Sequence, residues 1–314
     1  VLSNSNEVKK NPFTDRLEDA FSKKYGVKYA IAVNSGTSGL HAALVAAGVN
    51  QGDEVITTPF TVLVDSSVPV IMGAEPVFAD IDPNTRNIDP NSIEERITKK
   101  TKAIIPVSHD GLPYDIDSVM KIANEHNLVV IEDNAQSMLA EYKGRYVGKD
   151  AHITMFSFER TKHVSTGEGG ILITNDPELA VKSRKFAGMG FKNLSAKKSD
   201  LVAGVPLEYQ NPTYERNDEL GLNYRFNEFL AAIALAQFEL ADERVKLRRD
   251  IAKLYDDVFE NTLFKIQHTP DGYTSSYFTY AVESPFTKLE DWQKFHQSHL
   301  KNGGDDFYAA MILT

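Results

Sequence analysis

The sequence of 314 residues contains no cysteine. Without a thiol, the chain cannot form a disulfide bond, hold a metal ion through thiolates or use a cysteine nucleophile. This absence excludes disulfide-stabilised folds and every enzyme class that depends on a catalytic cysteine.

Excess positive charge and long apolar runs are also missing. The formal net charge is −10, which disfavours a binder of nucleic-acid backbones, because such binders carry an excess of Lys and Arg. No run approaches the roughly 18 apolar residues of a membrane helix, and residues 1–10 lack the basic-then-apolar layout of a secretory signal. The sequence therefore predicts a cytoplasmic protein without nucleic-acid or membrane partners.

Short apolar runs alternate with helical periodicity along the first two thirds of the chain. Hydrophobic residues make up 42% and charged residues 25%, as in folded globular proteins. Predicted helices cover residues 40–47, 118–126 and 177–186. Predicted strands cover Tyr29–Val33, Glu54–Thr57 and residues 76–81, 103–107, 128–131, 153–156 and 171–174. This alternation is typical of the α/β class, with a mainly parallel sheet.

The pattern changes after Gly188. Residues 193–217 are polar, contain Pro206 and Pro212 and have no sustained period, which predicts a long excursion or lid. Residues 227–259 return to helical spacing. We place a domain boundary near Arg244, giving a large domain of residues 1–243 and a smaller one of residues 244–314. The apolar end, residues 311–314, resembles a strand inside a domain, so we expect the second domain to be incomplete.

A candidate anion site follows the first predicted strand. Ser35, Gly36, Thr37, Ser38 and Gly39 open a helix, so free backbone N–H groups, hydroxyls and the positive helix end converge there. The pattern is neither a Walker loop nor the dinucleotide motif G-x-G-x-x-G. A plain capped helix start is the alternative interpretation.

Two carboxylates, Glu132 and Asp133, end a buried strand. Open α/β sheets bind ligands at the carboxyl ends of their strands, so a carboxylate there is a candidate site residue. Alternatively, Asp133 caps the turn that follows it.

A serine and a lysine, Ser157 and Lys162, follow another strand, with a glycine-rich stretch at 167–170 just beyond. A lysine partly removed from water has a lowered pKa and becomes a nucleophile for Schiff-base chemistry. A surface lysine on a turn is the alternative. His109 and His163 have no partners at metal-ligand spacing, so we assign them no role and predict no metal site.

Taken together, seven motifs resemble the DegT/DnrJ/EryC1/StrS family of sugar aminotransferases, fold-type I enzymes that depend on pyridoxal 5′-phosphate (PLP). The resemblance covers almost the whole chain and is specific because the motifs occur in one order. They lie at residues 34–40, 52–61, 73–80, 132–136, 157–162, 167–170 and 221–225.

The resemblance implies a role for each candidate residue. Lys162 would hold PLP as a Schiff base, Asp133 would pair with the pyridine nitrogen, and Gln136 would lie against the ring. The phosphate would be held by Thr37, Ser38 and Ser157, and by Asn223 from the other subunit of a homodimer. An Asp beside the pyridine nitrogen suits this chemistry because it keeps the nitrogen protonated.

The reaction implied by the resemblance is a two-stage exchange. An amino acid, usually glutamate in this family, gives its amino group to the cofactor, and a keto-sugar then takes it. We expect a nucleotide-linked keto-sugar on a path to surface polysaccharide, such as lipopolysaccharide, or to another amino-sugar product.

The sequence departs from the family pattern at two places beside the predicted site. Val62 stands where relatives often have an aromatic residue that stacks on the pyridine ring, and Phe60 is the nearest aromatic residue. His109 lies one residue later than the histidine in relatives, so no substrate role carries over to it.

Two other functions compete with amino transfer. A sugar dehydratase of the same family has histidine at the Schiff-base position, and His163 adjoins Lys162; the spacing from Ser157 favours the lysine. A silent homologue with a regulatory or binding role need not keep Lys162, Asp133 and Ser157 together. Cysteine desulfurase, of the same fold, is excluded because the chain has no cysteine.

Overall fold

A computed structural model describes residues 12–197 and 211–307. Its central element is a seven-stranded sheet in the order β1-β9-β8-β5-β4-β2-β3. The strands are β1 (Tyr29–Val33), β2 (Glu54–Thr57), β3 (Glu75–Phe78), β4 (Thr101–Ile105), β5 (Val129–Asp133), β8 (Ile153–Ser157) and β9 (Gly170–Thr174). Only β9 runs against its neighbours, so the predicted mainly parallel sheet and the α/β class are confirmed.

Helices pack on both faces of this sheet. The helices are α1 (Pro12–Tyr25), α2 (Gly36–Ala46), α3 (Val64–Ile71), α4 (Pro90–Glu95), α5 (Ile116–His126), α6 (Pro177–Ala187), α7 (Glu228–Phe238), α8 (Ala241–Phe259) and α9 (Leu289–Lys301). One core cluster joins α2 and α6 to the sheet, a second joins α1 and α7, and a third joins α4 and α5. No helix in the described ranges is long and apolar enough to cross a membrane.

Short strands lie beside the main sheet. Strands β6 (Glu141–Tyr142) and β7 (Arg145–Tyr146) form a hairpin, and β11 (Tyr273–Thr274) pairs with β6. Strands β10 (Lys265–Ile266) and β12 (Val282–Glu283) form a separate pair.

Several boundaries differ from the sequence prediction. The edge strand β3 ends at Phe78, because the next residues turn to meet α4, where the backbone N–H of Asp80 donates to Ser92 Oγ (2.8 Å). Helix α7 begins at Glu228, because the Asn227 side chain caps its first turn. Helices α1, α3, α4 and α9 were not predicted; α3 contains Pro69 and three β-branched valines, which hide its helical period.

Two predicted features remain predictions. The boundary between residues 243 and 244 falls in the first turn of α8. In the predicted lid, residues 193–197 and 211–217 form turns and bends; Pro206 and the intervening residues 198–210 lie outside the described ranges, as do residues 1–11 and the apolar end at 311–314.

A buried ion pair joins three elements around β1. Arg184 on α6 donates to both carboxylate oxygens of Glu18 on α1 (3.0 and 2.8 Å) and to the carbonyl of Ala30 (2.8 Å). Glu18 also accepts from the backbone N–H of Ala32 (2.9 Å). Both side chains are buried, and burial raises the pKa of Glu18 although the charge of Arg184 opposes the shift.

Replacing Glu18 with Gln should destabilise the fold by about 3–5 kcal/mol, because Arg184 is left buried without its counter-charge. Urea unfolding at neutral pH measures the loss. The matched control is Glu178→Gln on the exposed face of α6, where the partner Lys182 lies 3.9 Å away in solvent; this change should leave the unfolding midpoint nearly unaltered. Equal midpoint shifts for the two variants would contradict the assignment.

Candidate active site

Six strands of the sheet end at the same edge. Strand β9 is antiparallel to both β1 and β8, so β1 runs parallel to the other five strands. The loops after β1, β2, β4, β5 and β8 therefore meet at one edge, together with the beginning of β9 at Gly170. The predicted residues other than Asn223 all lie at this edge: Asp133 and Ser157 end strands β5 and β8, Gln136 and Lys162 lie on the loops that follow them, and Thr37 and Ser38 begin the helix after β1.

The helix after β1 presents its positive end to Ser157. Ser35 caps α2 by accepting from the backbone N–H of Ser38 (3.0 Å), so the capped start expected from the sequence is present. A Cβ on Gly36 would lie 3.1 Å from Ser157 Cβ and 3.3 Å from its Oγ, so a larger residue here would push the two segments apart by a few tenths of an ångström. The first N–H groups of a helix have no intrahelical acceptor, and here they lie beside a hydroxyl.

The hydroxyl-bearing residues differ in exposure. Thr37 is exposed, whereas Ser38 and Ser157 are buried. Ser38 Oγ lies 2.8 Å from Ser35 Oγ, and Ser157 Oγ accepts from the backbone N–H of Glu159 (3.2 Å). Each hydroxyl has further hydrogen-bonding capacity, so the cluster can receive an anion.

Asp133 is the last residue of β5 and is 4% exposed. Its Oδ1 accepts from the backbone N–H of Ala135 (2.8 Å), which is the turn cap considered in the sequence analysis. Burial raises the pKa of Asp133, while this hydrogen bond, a contact with Asp65 and the charge of Lys162 favour the anion. Asp133 is therefore both a turn cap and a buried carboxylate that faces a lysine.

Lys162 lies in the turn after β8, where its backbone N–H donates to Glu159 O (3.0 Å). Its ammonium group lies 4.2 Å from the centre of the Phe278 ring. Burial lowers the pKa of Lys162, although Asp133, Glu159 and Asp65 favour the charged form. The half-buried position and the facing carboxylates distinguish it from an ordinary surface lysine.

His163 points elsewhere. Its Nε2 lies 3.0 Å from Ser276 O, and burial lowers its pKa to about 4. Asp133 and Asp65 act electrostatically on Lys162, whereas the groups that act on His163 are Arg248, Lys162 and Arg249. The carboxylates of Asp133 and Asp65 therefore act on Lys162 and not on its neighbour His163.

Gln136 and His109 lie on the other flank of Asp133. Gln136 Oε1 accepts from the backbone N–H of Asp110 (2.8 Å), which ties the two loops together. The His109 ring lies 4.5 Å from the Phe60 ring, with Nε2 3.4 Å from Asp110 Oδ2, and burial lowers its pKa. Val62 is exposed. The aromatic side chain that packs against His109 is Phe60.

Asn223 lies at the surface near the start of α2. Its carbonyl accepts from Asn34 Nδ2 (3.5 Å), and its backbone forms a bridge with Gly188. The residue is exposed, so its side chain is accessible to a neighbouring molecule.

Sequence reasoning missed one residue of this cluster, Asp65. It lies in the first turn of α3, is fully buried, and contacts Asp133. The available signal was a single carboxylate among the apolar residues 62–70, a pattern that calls for a buried partner.

A cavity of about 590 Å³ lies on the far side of Lys162, towards α8. It is lined by Lys162 and His163 and by three arginines and three tyrosines: Arg160, Arg244, Arg248, Tyr255, Tyr277 and Tyr280. Asp133, Ser38 and Ser157 do not line it, so it is separate from the carboxylates and hydroxyls. No cluster of three metal-ligating side chains occurs within residues 12–197 and 211–307.

Comparison with known proteins gives relatives along most of the chain. GDP-perosamine synthase of Escherichia coli O157:H7 is 34% identical over 291 residues, which are 93% of this chain and 74% of that protein. The uncharacterized protein MJ1066 of Methanocaldococcus jannaschii is 39% identical over 257 residues, 82% of this chain. The chain spans 64% of the length of MJ1066, less than two thirds.

The fold has a solved counterpart. Helicobacter pylori PseC, an aminotransferase involved in the biosynthesis of pseudoaminic acid, superposes with a TM-score of 0.79 at 30% identity, covering 93% of this chain and 75% of PseC. The sequence profile of the DegT/DnrJ/EryC1/StrS aminotransferase family matches residues 1–311. Because this match covers nearly the whole chain, the chain belongs to the DegT/DnrJ/EryC1/StrS aminotransferase family.

Proposed function

We propose that this protein is a PLP-dependent aminotransferase that moves an amino group from an amino acid, L-glutamate in the first instance, to a nucleotide-linked keto-sugar. The product would serve the synthesis of surface polysaccharide or another amino-sugar product. The observation that carries the proposal is that the half-buried Lys162 and the buried Asp133 lie near enough for the charge of each to act on the other, at the edge where Ser157 meets the start of α2. Family membership supports the same reaction class.

The residues present fit the cofactor. A ring nitrogen that must stay protonated needs a buried carboxylate, and Asp133 provides one. A phosphate needs hydrogen-bond donors at a positive helix end, and Thr37 and Ser38 provide hydroxyls in the first turn of α2 with the hydroxyl of Ser157 beside them. An aldehyde needs an amine with a lowered pKa, and burial lowers the pKa of Lys162.

Within this site the chain's own groups have distinct tasks. PLP, when bound, supplies an aldehyde that takes up amines and a ring that accepts electrons from the amine-bearing carbon. Lys162 would hold it covalently and, once displaced by the donor amine, move the proton at that carbon. Asp133 would hold the charge of the ring nitrogen, and Gln136, fixed by Asp110, would lie against the ring.

The orientation of the two neighbouring residues favours transfer over dehydration. The dehydratase alternative needs His163 at the Schiff-base position, but the Nε2 atom of His163 lies 3.0 Å from Ser276 O. A catalytically silent homologue has no need to bury Asp133 and Lys162 near each other, and burying charged groups is costly. A yellow colour of the purified protein would also argue against a silent homologue.

Borohydride reduction of the protein loaded with PLP should leave a phosphopyridoxyl label on Lys162 and on no other lysine. The reason is that Lys162 combines a lowered pKa with a position at the carboxylate edge. Peptide mass spectrometry after digestion locates the label. Lys162→Arg should abolish labelling and nearly all transamination, because an arginine cannot form the imine.

The matched control is His163→Asn, which should keep the label on Lys162. A label at another lysine, or an Arg variant that retains most of its activity while the His163 variant loses it, would reopen the dehydratase and silent alternatives.

Replacing Asp133 with Asn should preserve the fold and slow both half-reactions by a few powers of ten, or several kcal/mol in the barrier. An amide keeps an oxygen that can accept from Ala135 but has no negative charge to keep the ring nitrogen protonated. Stopped-flow absorbance with glutamate measures the first half-reaction. Near-normal rates would mean that Asp133 acts only as a turn cap.

We also propose a cytoplasmic homodimer with shared active sites. Exposed apolar side chains flank Asn223 along the chain, in particular Leu220, Leu222, Phe229 and Ile233. Exposed large apolar side chains in one stretch of the chain are typical of an interaction surface. A second copy docked there would bring its Asn223 towards the neighbour's phosphate site, as the family resemblance implies.

Sedimentation at assay concentration should therefore show a dimer, and monomers should be inactive. Leu222→Glu, which places a charge in the proposed interface, should shift the protein towards monomer and lower activity. Leu263→Glu, at a residue that is 81% exposed elsewhere on the chain, is the control and should leave the dimer intact. An active wild-type monomer would disprove the shared site.

A further inference from the structure

Asp65 is a fully buried carboxyl group that the proposed function does not use. It is 0% exposed and lies in the first turn of α3. Its Oδ2 accepts from Thr61 Oγ1 (2.7 Å). Its Oδ1 is buried without a donor among the described residues, which is costly for a carboxylate oxygen but not for an acid whose proton on that oxygen has a neighbouring acceptor.

The partner of Asp65 is the carboxyl group of Asp133, within hydrogen-bonding reach. Two buried carboxyl groups in contact cannot both be ionised without strong repulsion, so such a pair holds one proton. The charged side chain that acts on both members of the pair is Lys162, in the turn after β8. We therefore expect one negative charge on the pair, compensated by this lysine, and one neutral carboxyl group.

The surroundings place the proton on Asp65. Burial and the charge of Asp133 raise the pKa of Asp65 well above its usual range. Asp133 has more support for its charge, since it accepts a hydrogen bond from Ala135 N–H (2.8 Å), and its interactions with Asp65 and with the charge of Lys162 also favour the anion.

We propose that Asp65 is a positioning residue for the cofactor: as a neutral acid it donates a hydrogen bond from Oδ1 to Asp133 and keeps that carboxylate turned towards the ring nitrogen. This inference rests on the proposed function for its ligand. It goes further by assigning a second carboxyl group, on a different element, to the cofactor site.

The charge state of Asp65 can be measured without the cofactor, by the stability of the apoprotein against pH. A carboxyl group whose pKa is raised in the folded state holds its proton better than the unfolded chain does. Its contribution to stability is therefore complete below the ordinary Asp range and is lost as pH rises through the folded pKa. Asp65→Asn cannot ionise, so its stability relative to wild type should increase from pH 4 upward.

Asp117→Asn is the matched control, because Asp117 lies in the first turn of α5 and pairs with Lys143 and Arg145. Hydrogen bonding to Lys143 lowers the pKa of Asp117, so this variant should lose stability relative to wild type as pH rises into the ordinary Asp range and change no further above that range. An acid at position 65 with only a structural role in the first turn would give the same curve as Asp117. If the stability of Asp65→Asn relative to wild type stays level or falls above the ordinary Asp range, the shared proton is disproved.

The positioning role is tested by measuring the dissociation constant (Kd) of PLP for two variants in absorbance and fluorescence titrations. Asp65→Asn keeps a donor for Asp133 and an acceptor for Thr61, so its Kd should stay within about threefold of wild type. Asp65→Leu has similar size but no donor, and should raise the Kd by about ten- to a hundredfold, as expected for losing a hydrogen bond to a buried charge. It should also shift the pH dependence of the visible band.

Each failure is distinguishable. If Asn and Leu bind PLP equally well, the positioning role is wrong while the proposed function stands. If the wild-type protein itself binds no PLP, the proposed function is wrong and the positioning role falls with it. In either case, the pH dependence of apoprotein unfolding tests whether Asp65 and Asp133 share a proton. That test uses Asp65→Asn, so it does not depend on whether the Leu variant folds.

Discussion

The structure depends on one constraint: three ionisable side chains at one edge of the sheet, Asp133, Asp65 and Lys162, are partly or fully removed from water. Each of these groups would be better solvated outside the protein, and burial shifts the pKa of each towards its neutral form. What makes the arrangement tolerable is that the three lie together, so that one positive and one negative charge compensate each other. The same burial gives the lysine a fraction of neutral amine and makes it reactive.

Holding these groups together requires a rigid sheet and close backbone approaches. Gly36 and Gly170 bring the start of α2 against β8 and β9, where a Cβ on Gly170 would lie 2.9 Å from Gly36 N. The ion pair of Glu18 with Arg184 secures β1 from the opposite side. The anion-binding end of α2 and the carboxylate of β5 are thereby fixed relative to each other before any ligand arrives, which is what preorganisation demands.

The sequence was most informative where local pattern and tertiary environment agree. Strands such as β1 and β8 are buried along most of their length, so their apolar runs predicted both their existence and their place in a mainly parallel sheet. Lys162 and Asp133 were identified because strand-end polar residues converge at one edge. Helix α3 was missed because its valines and Pro69 resemble a strand or a loop, and only packing against the sheet decides otherwise.

Asp65 shows why a site cannot be read fully from strand ends. It precedes Asp133 by 68 positions and lies on the helix that was not predicted, so no local spacing links the two carboxyl groups. Their contact exists because β2 and β5 both flank β4, which brings the loop after β2 over the end of β5. The strand order brings these two carboxyl groups together, and the pair has a property that Asp133 alone would lack. A proton can move between its two members while the total charge of the pair stays constant. The site can therefore meet a positively charged ring nitrogen with a single, oriented carboxylate in a region that water does not reach.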